Sequence, residues 1–188
     1  MKYFFNIICF TLILITASCG QSKFEREFEC DTPRSYTQTK TYKDVLNHFE
    51  IDIPSSWKTE LYYDEYQSAL YTADTTKQLR ETFILDVAWH QGELVMNKEF
   101  EVRVAKNATQ NLKLIPVKSG FGEYLGQPAY YHISTGKSED LSWHYLEIYV
   151  QHKVDEYYTF TSKIYGDEFV SERICASFST FNEISFLE

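Results

Sequence analysis

The stretch PAYYHISTGKSEDLSWHYLEIYVQH, Pro128 to His152, decides the fold. Two runs rich in Tyr, Ile, Val and Trp flank the polar segment Gly136–Asp140. That pattern predicts two β-strands joined as a hairpin, and therefore an antiparallel sheet. Successive strand side chains point to opposite faces. In the second arm Leu146, Ile148 and Val150 share one face, and Trp143, Tyr145 and Tyr149 share the other. The first face is aliphatic core. The second is aromatic with hydroxyl handles, which suits either a second packed layer or a ligand surface. Trp143, Tyr145 and Tyr149 are therefore the candidate ligand face.

Working outward, the same period of two recurs. FEIDIPSSW alternates Phe49, Ile51 and Ile53, then breaks at Pro54 and turns at Ser55 and Ser56. Trp57–Tyr63 and Ser68–Ala73 read as short extended segments. FILDVAW puts Phe83, Leu85, Val87 and Trp89 on one face. The period then changes. Met96, Phe100, Val104 and Ala108 recur every fourth residue, which predicts a helix over 98–110. Asn97 is placed to cap it, and Glu99 and Glu101 suit its first turn. Leu112–Phe121 resumes as a strand, and Gly120–Pro128, with Gly120, Gly122 and Gly126, reads as a turn. Tyr157–Lys163 is a last strand, and Val170, Ile174 and Phe178 mark a closing helix. The fold class is α+β, a mainly antiparallel β-sheet with helices packed on it.

Residues 1–18 place one lysine before an apolar run, Tyr3 to Ile15, with the small residues Ala17 and Ser18 following. This is the layout of a signal peptide, and the run is short of the about 20 residues a membrane span needs. Thr16–Cys19, TASC, resembles a bacterial lipobox, although leucine is usual where Thr16 stands. The resemblance implies cleavage before Cys19, lipid attachment on Cys19 and anchoring in the cell envelope. The location would be the periplasmic face or the cell surface. Ordinary signal-peptidase cleavage would instead leave Cys19 a free thiol. Residues 19–41 are polar and read as a tether of about 25 Å coil span, with the folded body over 42–188. Of the four cysteines Cys9 leaves with the leader, so a lipidated Cys19 would leave Cys30 and Cys175 as a possible pair. The alternative is a Cys175 that is simply a small helix residue and a Cys30 loose in the linker.

Three stretches together resemble the PsbP-like superfamily: FEIDIPSSW from Phe49, LGQPAYYHIS from Leu125 and ICASFSTF from Ile174. The likeness runs from Tyr42 to Phe181. It implies an α/β/α sandwich. It also implies a role in binding a partner or stabilising an assembly, with no shared catalytic residues and so no enzyme.

The formal net charge is -9, with no basic run. That argues against nucleic acid as a partner and against electrostatic docking on anionic lipid. The glycines of SGFGEYLG lie between strands, with no helix to receive a pyrophosphate. The acid pairs Asp64–Glu65, Glu139–Asp140, Asp155–Glu156 and Asp167–Glu168 fall at expected turns or a helix start, where acids are solvated or cap. His132 and His144 would face each other if the hairpin turn centred on Ser138. Two histidines without a thiolate or carboxylate make a thin metal site, so no metal and no cofactor are expected. The expected function is an envelope-anchored lipoprotein with a non-enzymatic module for an unidentified envelope protein partner. The alternative is a ligand- or glycan-binding lipoprotein using the aromatic face.

Overall fold

The computed structural model describes residues 22–30 and 35–187. The leader and Cys19 lie outside the described residues. In chain order the elements are α1 (Lys23–Glu27), β1 (Thr39–Lys43), β2 (Phe49–Pro54), β3 (Lys58–Tyr63), β4 (Gln67–Ala73), β5 (Phe83–Gln91), α2 (Lys98–Gln110), β6 (Ile115–Tyr124), β7 (Gln127–Ser138), β8 (Leu141–Lys153), β9 (Glu156–Tyr165), α3 (Val170–Phe181) and β10 (Ile184–Phe186). Strands β3-β4-β5-β9-β8-β7-β6 form a seven-stranded sheet, and β1-β2-β10 form a second, three-stranded one. All pairings are antiparallel. Among the described residues no helix is long and apolar enough to cross a membrane.

The main core lies on one face of the large sheet, the inner face. Phe83, Leu85, Val87 and Trp89 of β5 are buried there, as the alternation requires. They are joined by Leu146, Ile148 and Val150 of β8 and by Tyr158, Phe160 and Ile164 of β9. Ile174, Phe178 and Phe181 of α3 cover part of this face, and Phe49, Ile51 and Ile53 of β2 are buried in the same core. The strand FEIDIP is thus the centre of the small sheet and not a member of the large one. Helix α2 packs on the opposite, outer face, capped by Asn97, whose Oδ1 accepts from the Phe100 amide at 2.9 Å.

Three sequence expectations change. Residues 22–30 do not behave as a tether. Ser22 caps α1 in a reciprocal capping box with Glu25. Phe24 is 0% exposed in the core, and Cys30 is bonded to Cys175 of α3. Strand β1 also begins inside the expected tether, at Thr39. Secondly, Gly120 and Gly122 are not turn residues. They lie within β6, where an added Cβ would fall 2.9 Å from the Tyr131 ring and 2.8 Å from the Phe24 ring, respectively. Only Gly126 sits in the turn, at φ +73°. Thirdly, the β7–β8 turn pairs Ser138 with Leu141, so it centres between Glu139 and Asp140. Glu139 takes the left-handed conformation there, at φ 52°. This shifts the register by an odd number of residues. His132 faces Glu147 and His144 faces Thr135, so the two histidines lie on opposite faces. His144 instead lies 3.1 Å from Asp167.

Arg173 was invisible as a structural residue in the sequence. It is 6% exposed, and its guanidinium donates to the carbonyls of Arg80, Thr82, Tyr165, Gly166, Glu168 and Phe169. Six accepting carbonyls hold the buried cation and fix the loop that leads into α3.

Candidate ligand-binding face

The outer face carries transverse rows of side chains, one residue from each strand. One row runs Glu60, Tyr71, Asp86, Thr161, Glu147, His132, Ser119. A neighbouring row contains Ile84, Lys163, Tyr145 and Ser134. Helix α2 lies over only part of this face. Its Phe100 meets Tyr130 edge-on at 5.4 Å and Tyr149 edge-on at 5.1 Å. Below it His132 is 1% exposed, with Nδ1 3.7 Å from a Glu147 carboxylate oxygen, while the Tyr149 hydroxyl donates to Glu147 at 3.0 Å.

The three residues of the expected face therefore part company. Tyr149 packs beneath α2. Trp143 and Tyr145, half-buried as Tyr149 is, instead line a concavity of about 280 Å³ with Tyr71, Asp86, Lys163 and Leu114. Its shape is built into the strands. Gly136 lies opposite Trp143, and a Cβ there would fall 2.6 Å from the indole, so only glycine leaves the ring room. Lys163 Nζ sits 5.7 Å from the Trp143 ring centre and 5.2 Å from that of Tyr165, which holds a cation at the wall by ring contact.

Asp86 gives the concavity its chemistry. Its Oδ1 is buried without a hydrogen-bond partner. Desolvation pushes its pKa up to about 7, and the Tyr71 hydroxyl pulls weakly the other way by favouring the ionised form. Burial, followed by the charge of Asp86, raises the Tyr71 phenol in turn. Burial and then the charge of Glu147 raise the Tyr145 phenol. Both phenols stay protonated donors at neutral pH. Asp86 was missed in the sequence reading. A signal was present: it is the one charged side chain in FILDVAWHQ, the whole of β5. A second, more open hollow of about 500 Å³, lined by Glu60, Tyr62, Gln67, Ala69 and Tyr71, adjoins the first through Tyr71.

Among the described residues no three His, Cys, Asp or Glu side chains converge to hold a metal ion. The concavity offers rings, phenol and ammonium donors and one carboxylate. That set has the chemistry to suit a neutral or weakly polar ligand. It does not supply the two facing carboxylates that glycosidic bond hydrolysis requires.

Compared with protein-family models the chain matches none, and compared with curated protein sequences it again matches none. Solved structures do match. Cyanobacterial PsbP (CyanoP) from Synechocystis aligns with a TM-score of 0.59 at 12% identity, over 82% of this chain and 96% of that one. The fold is PsbP-like. A Bacteroides thetaiotaomicron protein aligns with a TM-score of 0.50 at 10% identity, over 81% of this chain and 50% of that one. LpqN of Mycobacterium tuberculosis, described as involved in cell envelope biogenesis, aligns at a TM-score of 0.39, too distant to bear on the argument.

Proposed function

We propose that this chain is a non-enzymatic binding module of the bacterial cell envelope, anchored by lipid on Cys19. The open concavity around Tyr71, Asp86, Trp143 and Tyr145 takes its ligand. The observation that carries the reading is the division of the outer face. A single helix roofs Tyr149 and leaves Trp143 and Tyr145 lining a concavity beside a carboxylate whose Oδ1 lacks a partner. Rings that stack, phenols that donate and a carboxylate that accepts are the complement of a hydroxylated ring, so a glycan is the favoured ligand class. The lipobox TASC supports the anchor.

Two measurements test it. Intact mass of the protein from its native membrane, beside a Cys19→Ala form, reads the anchor: a gain of several acyl chains, lost in the variant, is expected. A glycan array probed with the folded body reads the face. Binding that Trp143→Ala abolishes supports the proposal, and no binding to any glycan removes the ligand class. A second reading, a protein partner, is favoured by Tyr62, Tyr63 and Tyr66, which are 51%, 64% and 59% exposed at the β3–β4 edge. Cross-linking from Tyr63, with the Trp143 concavity left unoccupied, would favour that reading.

A further inference from the structure

We infer that α1 is a strap that fixes which end of the body faces the lipid, so that the Trp143 concavity points away from the membrane. The inference rests on the proposed anchor at Cys19 and adds orientation to it.

The strap is fastened along its whole length. Phe24 inserts where Gly122 has no Cβ and stacks edge-on against Tyr131 at 4.8 Å. Glu25 accepts from Asn182 Nδ2 at 2.9 Å, and Lys23 Nζ donates to the Phe121 carbonyl at 2.9 Å. Glu27 pairs with Lys118 at 3.2 Å. Cys30 is bonded to Cys175. A free tether over 19–41 would let the body tumble against the bilayer. With Ser22 fixed, the lipid-bearing residue is only three positions away, a reach of at most about 11 Å from the point where α1 begins.

That point adjoins the β6–β7 turn, since Ser22, Lys23, Glu123, Leu125 and Gly126 line one cleft. Strand β7 leaves this turn at Gln127, and Trp143 pairs with Gly136, nine residues along it. At about 3.3 Å per residue the concavity stands about 30 Å from the anchored end.

The test uses full-length lipidated protein in phosphatidylcholine vesicles carrying a headgroup nitroxide quencher. A thiol-reactive fluorophore is placed at Glu123→Cys, near the strap, or at Asp140→Cys, in the β7–β8 turn. With the strap intact, quenching at position 123 is expected to exceed that at position 140 several-fold. A flexible 20-residue Gly-Ser insert between Cys19 and Ser22 leaves the body untouched and is expected to bring the ratio to about one. Vesicle flotation with equal quenching at both positions in the uninserted protein overturns the strap while leaving the anchor standing. Failure to float overturns the anchor, and the orientation with it.

Discussion

Tyr145 and Tyr149 are the same residue type on the same face of the same strand, one helical roof apart. Tyr149 lies against Phe100 of α2, and Tyr145 lines an opening. Alternation assigned both to one face and could do no more, because period reports which side a residue takes and not what covers that side. Cover is decided by where a helix lands. The 13 residues of α2 span about 20 Å, enough to roof part of a seven-stranded sheet and no more. The roofed half belongs to stability. The open half has chemistry that stability does not require.

Four variants press on that division, taken from the largest expected effect to the smallest. Replacing Cys30 and Cys175 together with Ser releases a link spanning 145 residues, worth up to about 5 kcal/mol by chain entropy. Urea unfolding should show a loss approaching that size, with any glycan binding retained in the folded fraction. Phe100→Ala empties the contact between α2 and the roofed half and should cost about 3 kcal/mol in the same assay. If Phe100→Ala instead abolished binding at constant stability, the two halves would be one site.

Asp86→Asn should move stability in the opposite direction. The folded-state pKa of about 7 lies above the ordinary 3.8. Between those values the folded protein holds the extra proton, so stability falls as pH rises through the interval. The penalty is absent below about pH 4 and complete above about pH 7. Linkage makes it roughly 4 kcal/mol, about half that once partial exposure is allowed for. Asp86→Asn should therefore match the wild type near pH 4 and gain roughly 2 kcal/mol near pH 8, by urea unfolding at the two pH values. A gain of that size would mark Asp86 as a carboxylate kept at a cost to the fold, as groups at functional sites often are.

The legible parts of the fold were those with a sustained period. The helix over 98–110 has its face in Phe100, Val104 and Ala108 and its cap in Asn97, all local signals. The core faces of β5 and β8 followed from alternation over many residues. What escaped was short or set by partners far away. Helix α1 has five residues, too few to display a period, and the seat for its Phe24 is Gly122, which read only as a turn glycine. The His132–His144 pairing failed because a turn centre misplaced by one and a half residues reverses a face. Alternation alone put Trp143 and Tyr145 on the outer face. Asp86, Tyr71 and Lys163 reach the same concavity from other strands, and single-strand patterns carry no strand order.

The smallest expected effect isolates the open half most cleanly. Tyr71→Phe removes one hydroxyl from a side chain that is 40% exposed, so global stability should change by no more than about 0.5 kcal/mol. The same hydroxyl favours the ionised form of Asp86, and burial opposes it. With the hydroxyl gone only the desolvation remains, and the Asp86 pKa should rise above its present value of about 7. An NMR titration of the Asp86 carboxyl carbon reads this directly. The roofed half supplies the control, because Tyr149→Phe removes a hydroxyl bonded to Glu147 and should leave the Asp86 titration in place. An Asp86 curve that moved equally with both substitutions would mean that one electrostatic field runs across the whole row from Tyr71 to His132. The helix would then divide the face in shape alone.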